Sequence, residues 1–348
     1  MPDSAEFENI GDISLLMRGA KNAIRSALSV TSKDVVTLIC DEASLAVAAS
    51  LYAAAKEVGA KTKAYIFERR IVRPATSLPP EVVRALRGST VSIYTVHPIK
   101  GEFEHRRELI NMVEPYNLRH AHMIDISADS MMQGMVADYR EIYKLTKILE
   151  EKISQAKDIH VTGSNGTDIH VTLDPSEEII TSAGVINPGE WSNLPCGEVF
   201  TCPLSVDGVY YCDGLVPHDI TVDRFNLARR PLKIDLADGR LAHMEGGPGD
   251  LAKNVLSAIS SGTNMDKIGM LAVGTNFELL MPIGDRIQDL FIPGAYFSFG
   301  RPYSANDVAW SSSAQYIFTA KKTSLHLDGV TIIDNCRYTP EILALAQK

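Results

Sequence analysis

Hydrophobic and polar positions follow two different patterns along this chain, and the first half has the pattern of an α/β domain. Nearly continuous apolar runs, typical of buried strands, are separated by segments whose apolar residues recur at helical spacing. Strands are predicted at residues 35–40, 63–67, 90–95 and 122–126. Helices are predicted at residues 12–30, 45–58, 80–86, 105–113 and 135–157. Because such alternation favours a parallel sheet covered on both faces, we predict an N-terminal parallel-sheet α/β domain over residues 1–157.

After residue 157 the pattern changes to short strands with few helices. Residues 159–162 and 168–172 alternate apolar and polar positions around an Asn-Gly turn, which is a strong signal for a β-hairpin. Further strands are predicted at residues 198–204, 208–211, 220–222, 232–236, 240–244 and 267–276, with a helix at 249–259. We therefore predict a C-terminal β-rich α+β domain over residues 158–348.

Composition and charge exclude several classes of protein. The 348 residues are 45% hydrophobic and 22% charged, as in ordinary globular proteins, and the length fits two domains. The net charge is −9 and the basic residues are scattered, so no nucleic-acid partner is expected. The chain shows neither a secretory signal nor an apolar stretch of membrane-spanning length, so we expect a cytoplasmic protein with no membrane partner. Five widely spaced cysteines without a C-x-x-C motif suggest neither disulfides nor a structural zinc site.

The strongest chemical signal is His326 and Asp328, two residues apart in a run with the pattern of a buried strand. That spacing predicts that both side chains point to one face of a sheet. A buried aspartate needs a partner or a metal, and an adjacent imidazole supplies a second metal donor. An isolated H-x-D pair also occurs as a hydrogen-bonded pair without a metal, so other residues have to decide between the two interpretations.

Three other segments bring polar groups into apolar surroundings. Glu198 follows a loop shaped by proline and glycine and enters an apolar strand, where a carboxylate needs a partner. Met270 lies in an apolar strand that runs into a Gly-Thr-Asn turn. Tyr296 and Tyr303 lie in an aromatic segment flanked by glycines, and each could equally be a core residue.

Taken in chain order, these four segments resemble the aminopeptidase T family of metallopeptidases, whose distant relatives include the 2,5-dihydroxypyridine 5,6-dioxygenases. Glu198 stands where the N-L-P-x-G-E motif of the peptidases has a metal-ligating glutamate, and His326 and Asp328 match their closing H-x-D ligand pair. Tyr303 matches their catalytic tyrosine. The resemblance implies a site with two divalent metals, a tyrosine close to the substrate, and a homodimer.

The sequence also departs from that family. Met270 replaces a ligand glutamate and Tyr296 replaces a ligand histidine, so two ligands of one metal are missing. A thioether cannot replace a carboxylate for a hard divalent ion. Asp289 lies near another acidic position of the family and could compensate. The resemblance implies that the dioxygenase relatives have an iron-ligating histidine at the position of Met270. This chain lacks that histidine too.

We predict that Glu198, His326 and Asp328 bind one divalent metal ion (Zn, Mn, Co or Fe(II)), with Glu198 and Tyr303 as catalytic residues. Three protein ligands with an open position are typical of a catalytic ion. The predicted function is a metallohydrolase, aminopeptidase-like, acting on a small amide or short peptide. The first alternative is a mononuclear Fe(II) dioxygenase that cleaves a hydroxylated pyridine or related ring. The second is a family member without metal that has a binding role.

Other histidines carry weaker signals. Asp168 and His170 repeat the spacing of aspartate and histidine, but they follow the Asn-Gly turn, where exposure is expected. His218 and Asp219 could approach the site in space, and His243 is the best spare imidazole if a third nitrogen ligand is needed.

Overall fold

The computed structural model describes residues 2–8, 10–99, 101–217, 220, 222, 224–303 and 308–347. The chain forms two compact units. The first unit comprises Met1–Tyr143, Ala183–Cys196 and Ile283–Gln288, and the second comprises Lys144–Ser182, Gly197–Pro282 and Asp289–Lys348. The division into domains at residue 157 stays a prediction, because compactness in the folded chain does not show which segments fold alone. None of the helices that the described residues form has both the length and the apolar character needed to span a membrane.

The helices and strands are numbered in chain order. The α-helices are α1 (Ser4–Phe7), α2 (Met17–Asn22), α3 (Leu45–Glu57), α4 (Pro80–Leu86), α5 (Phe103–Val113), α6 (Ala128–Met132), α7 (Tyr139–Gln155), α8 (Arg224–Arg229), α9 (Leu251–Ile259), α10 (Arg286–Asp289) and α11 (Pro340–Ala346). The strands are β1 (Val35–Cys40), β2 (Lys61–Ile66), β3 (Val91–Thr95), β4 (Arg119–His122), β5 (Ile159–Gly163), β6 (Asp168–Leu173), β7 (Ile180–Ser182), β8 (Trp191–Asn193), β9 (Glu198–Thr201), β10 (Pro203–Cys212), β11 (Leu232–Ala237), β12 (Arg240–Gly246), β13 (Ile268–Gly274), β14 (Gly294–Gly300), β15 (Gln315–Thr319), β16 (Thr323–Leu327), β17 (Val330–Asp334) and β18 (Arg337–Tyr338).

The first unit is built on a parallel sheet with strand order β2-β1-β3-β4-β8. Its strands β1 and β3 are almost wholly buried because helices cover sheets of this kind on both faces. The predicted α/β fold class of this part of the chain is therefore confirmed. The short strand β8 was not predicted, because the three residues Trp191–Asn193 carry no strand pattern of their own.

Several predicted elements of the first unit have other boundaries in the structure, and two of these shifts have a local reason. The strand predicted at residues 122–126 is Arg119–His122 instead, and the chain soon turns at Asp125, whose φ is +57°. The helix predicted to begin at residue 135 begins at Tyr139, because Gly134–Val136 forms a 3₁₀ turn and Ala137 is extended. Apolar periodicity extended across both boundaries and so could not locate them.

The second unit contains two antiparallel sheets that share one hydrophobic core, which confirms the predicted β-rich part of the chain. The large sheet has the order β12-β11-β10-β6-β5-β16-β17-β18, and the small sheet has the order β15-β14-β13-β9-β7. Val161 and Ile169 of the large sheet belong to the same buried cluster as Leu271 and Phe297 of the small sheet. Since side chains alternate along a strand, each sheet also has a face turned away from this core.

Candidate functional site

The face of the small sheet that is turned away from the shared core carries three of the positions that the family resemblance singled out, namely Glu198, Met270 and Tyr296. We call it the site face. Its side chains belong to Glu198, Phe200, Met270, Ala272, Tyr296, Ser298, Gln315 and Ile317, which occupy alternate positions of four paired strands. The residues between them, such as Val199, Leu271 and Phe297, point into the core. Strand alternation and pairing therefore bring Met270 and Tyr296, which replace two ligands of the peptidase family, to the same face as Glu198.

Glu198 forms a buried pair with Tyr296 at the centre of this face. Glu198 is 8% exposed and Tyr296 is 4% exposed, and the tyrosine hydroxyl donates a hydrogen bond to the Oε2 atom of the carboxylate. Burial raises the pKa of Glu198 to about 7, although the hydrogen bond from Tyr296 acts in the opposite direction. Burial, and then the nearby carboxylate, also raise the pKa of Tyr296 well above its ordinary value. Glu198 can therefore gain or lose a proton near neutral pH.

Tyr303 lies next to this pair. Its backbone N–H donates to the carbonyl oxygen of Gly269 at 2.9 Å, and its ring meets that of Phe200 edge-on at a centroid distance of 5.7 Å. Desolvation of the hydroxyl, and to a lesser extent the Glu198 carboxylate, raise the pKa of Tyr303 even though 38% of the residue is exposed. The predicted pair of catalytic residues, Glu198 and Tyr303, is thus brought together by the fold.

Gln315 closes the site face on the side of strand β15. Its Nε2 atom donates to the Oγ atom of Ser298 at 3.2 Å and lies 3.8 Å from the Sδ atom of Met270. Met270 packs with Ala272 and Tyr296 in a small buried cluster. Sequence reasoning missed Gln315, because nothing in the chain predicts that β15 pairs beside β14.

The donor groups of the site face do not fit the metal centre that the resemblance implies. Among the described residues of this face, Glu198 is the one carboxylate, and the other polar groups are phenols, hydroxyl, amide and thioether. Zinc and Fe(II) sites in proteins use imidazole or several carboxylates, and hard ions such as Mn²⁺ need several oxygen ligands. Asp289 is buried at the end of α10, but it belongs to no group of three or more potential ligands among the described residues. We therefore assign no metal to the site face.

Asp328, one of the predicted ligands, lies in a turn. Strand β16 ends at Leu327, and Asp328 and Gly329 connect it to β17 with φ values of +50° and +76°. Asp328 is exposed, and its Oδ1 atom accepts hydrogen bonds from the backbone N–H groups of Lys157 and Asp158, both at 2.9 Å. These bonds lower the pKa of Asp328. The expectation of a buried strand aspartate is wrong, and the Asp-Gly pair was the sequence signal for the two-residue turn.

His326 lies on the large sheet, on the face turned away from the shared core. Its Nε2 atom is 3.2 Å from the Oγ1 atom of Thr162, and its Nδ1 atom is 3.1 Å from the Oγ1 atom of Thr331. Its strand neighbours Leu325 and Leu327 point into the core that also receives Val199. The shared core therefore separates His326 from Glu198, and the structure does not bring the three predicted ligands together. Their assignment to one metal ion stays a prediction that this arrangement does not support.

Another set of residues lies close enough together to hold a metal ion. Among the residues that the structure describes, His160, Asp168 and His170 form the one group of three or more potential ligands whose donor atoms all lie within 4.8 Å of one another. Asp168 and His170 are exposed, as the Asn-Gly hairpin predicts. His243 lies on β12 with an exposed side chain, whereas His218 and Asp219 lie outside the described residues.

Comparisons with known proteins agree with this fold. The family model of the 2,5-dihydroxypyridine 5,6-dioxygenases (NicX) matches residues 122–274. The chain is similar to both families that its motifs resemble. The solved 2,5-dihydroxypyridine dioxygenase of Pseudomonas putida KT2440 superposes with a TM-score of 0.70 at 14% identity, covering 94% of this chain and 98% of that one. Wild-type AmpT from Thermus thermophilus gives a TM-score of 0.66 at 13% identity, covering 93% and 99%.

The structural matches and the family match support different conclusions. The two structures are so distant in sequence that they establish the fold alone. The NicX match includes Glu198 and Met270, and it links this chain more closely to the dioxygenases than to the peptidases. No curated protein matches the sequence. The relationships indicate an enzyme but do not identify its reaction, which has to be argued from the chemistry of the site.

Proposed function

We propose that this chain is an enzyme that binds a small hydroxylated ring compound at the site face and isomerises it by general acid–base catalysis, with Glu198 taking a proton from a ring hydroxyl and returning it to another ring atom. The arrangement that carries the proposal is the buried hydrogen-bonded pair of Glu198 and Tyr296, with Tyr303 beside it. The family description of the NicX match supplies the class of substrate, a dihydroxypyridine.

The side chains of the site face suit such a ligand. Phe200 and Tyr303 offer aromatic surfaces against which a ring can pack. Tyr303 and Gln315 offer groups that can hydrogen-bond to ring hydroxyls, and Glu198 can exchange a proton with an oxygen or ring nitrogen. The pKa of Glu198, raised by burial to about 7, lets the carboxyl act as acid in one step and as base in another.

The experiment is turnover of 2,5-dihydroxypyridine by the purified, chelator-treated protein, with and without air, followed by ring absorbance and oxygen uptake. We expect conversion without oxygen uptake, a rate that changes through pH 7, and a loss of at least ~100-fold in Glu198→Gln. Glu341→Gln, at an exposed position of α11, is the matched control. Full activity in Glu198→Gln would contradict the proposal.

The second candidate is the mononuclear Fe(II) dioxygenase, which the family match over residues 122–274 favours. Oxygen uptake that requires added Fe(II) would support it in place of acid–base catalysis. Metal-dependent amide cleavage would instead support the predicted metallohydrolase, for which the AmpT similarity provides a fold. Tight binding of the ring without conversion would support the metal-free binding role.

A further inference from the structure

A row of three histidines crosses the face of the large sheet that is turned away from the shared core. His170 on β6 pairs directly with His160 on β5, and His160 pairs with His326 on β16. Residues that lie opposite each other in antiparallel strands share a face and bring their side chains into contact range. We call the side chains of His160, Asp168, His170 and His326 the histidine face.

Two of these imidazoles and one carboxylate converge. The rings of His160 and His170 are parallel to within 6°, with their centroids 4.2 Å apart. The Nε2 atom of His160 lies 2.7 Å from the Oδ1 atom of Asp168, and one donor atom from each of the three residues lies within 4.8 Å of the other two. Asp168 and His160 are brought together because the Asn-Gly hairpin folds β6 back onto β5.

Small side-chain rotations would bring these donor atoms to the spacing of a bound ion. Zinc binds imidazole nitrogen and carboxylate oxygen at about 2.0–2.2 Å, so the donor atoms of a tetrahedral site lie about 3.4 Å apart. The side chains of His160, Asp168 and His170 are 29%, 69% and 61% exposed, which leaves them room for the small rotations needed to reach that spacing. Water can then complete the coordination.

Two neighbouring residues flank the ligands. The Oδ1 atom of Asp158 lies 3.6 Å from the Nδ1 atom of His170, so a second carboxylate is near enough to orient that ring after a small rotation. The backbone of Asp158 is held by Asp328, because the Asp158 N–H donates to the Oδ1 atom of Asp328 and the Asp158 carbonyl oxygen accepts from the backbone N–H of Asp328. Both nitrogens of His326 contact threonine hydroxyls, so His326 flanks the site without being a ligand.

We propose that His160, Asp168 and His170 bind one divalent transition-metal ion of the borderline class, with Zn²⁺ as the ion that two imidazoles and a carboxylate suit best. This site is independent of the function proposed for Glu198, because the shared core lies between the two faces.

The test is titration of the chelator-treated protein with Zn²⁺, with the heat of binding measured by calorimetry. We expect about one ion per chain, with the affinity lowered at least ~tenfold in His170→Ala and in Asp168→Asn, since each removes one of three ligands. His243→Ala is the matched control, because His243 is exposed on the same sheet and its Nε2 atom lies 3.7 Å from a Glu245 carboxylate oxygen. We expect no change there, and a change of less than ~threefold in His326→Ala.

Several outcomes would overturn the site. Absence of saturable binding would do so, as would an affinity that falls as much in His243→Ala as in His170→Ala. Loss of the ion in His326→Ala, with His170→Ala unaffected, would move the site towards the H-x-D pair. Because His170 and Asp168 are exposed, thermal melting of their variants in chelator should match that of the original chain and so separate loss of ligand from loss of fold.

Discussion

The site face and the histidine face belong to the same unit, and each is the side of a sheet that is turned away from one shared core. They differ in what surrounds their polar groups. On the site face the carboxylate of Glu198 is 8% exposed and accepts a hydrogen bond from a buried phenol. On the histidine face the side chains of Asp168 and His170 are 69% and 61% exposed, and two imidazoles lie beside the carboxylate.

The difference shows how burial selects chemistry. A lone buried carboxylate keeps its proton to higher pH, because charging it without a cation nearby is costly, and this suits proton transfer. Several nitrogen and oxygen donors near the surface can instead share the charge of a metal ion and exchange water around it. The family resemblance assigned residues of both faces to one metal, whereas the fold gives each face its own set of groups.

The largest expected effect comes from breaking the core that both faces share. Phe297 is 2% exposed and meets the ring of Tyr210 edge-on at a centroid distance of 5.1 Å. Phe297→Ala should lower the free energy of unfolding by about 3–5 kcal/mol, because it leaves a cavity. Urea unfolding measures this. Phe200→Ala, at a half-buried position of the site face, is the control and should cost less than about 2 kcal/mol; equal losses would contradict the assignment of the core.

The next largest effect is a pH dependence of stability that comes from Glu198 on the site face. The pKa of Glu198 is raised to about 7 in the folded chain and returns to about 4.5 on unfolding. Between these values the folded state binds more protons, so stability falls as the pH rises through that window. Glu198→Gln removes the titrating group and should raise the free energy of unfolding at pH 8 by up to roughly 3 kcal/mol, with little change at pH 4.

Urea unfolding at the two pH values measures the effect of Glu198→Gln. Glutamine keeps an acceptor oxygen for the Tyr296 hydroxyl, so the comparison isolates the charge. Glu341→Gln provides the control at an exposed position. A stability gain at pH 8 no larger than that at pH 4 would show that Glu198 is not a destabilising buried charge.

The smallest effect concerns the turn that supports the histidine face. Asp328→Ala removes the acceptor for two backbone N–H groups and places alanine at a φ of +50°, so the melting temperature should fall by about 2–4 °C. Asp328→Asn keeps an acceptor and tolerates the positive φ, so it should melt close to the original chain. Thermal melting followed by circular dichroism measures both. Equal melting of the alanine and asparagine variants would exclude this role of Asp328.

The sequence determined much of the fold by local pattern. A continuous apolar run located β1, and the Ala-rich periodic segment located α3 to within one residue. Both signals are carried by consecutive residues of the element itself. The Asn-Gly turn predicted the hairpin of β5 and β6. Pairings between distant segments, such as β8 beside β4, left no local pattern and were not predicted.

For the candidate site, the sequence by itself determined which residues could do chemistry, and the tertiary structure decided which of them meet. The family resemblance identified Glu198, Tyr296 and Tyr303, and the pairing of β9, β13 and β14 placed Glu198 and Tyr296 on one face, with Tyr303 following β14. The same reasoning joined His326 to Glu198, although a core separates them. Strand order and the direction of each side chain depend on contacts between residues far apart in the chain, so only the folded structure shows that His326 lies beside His160.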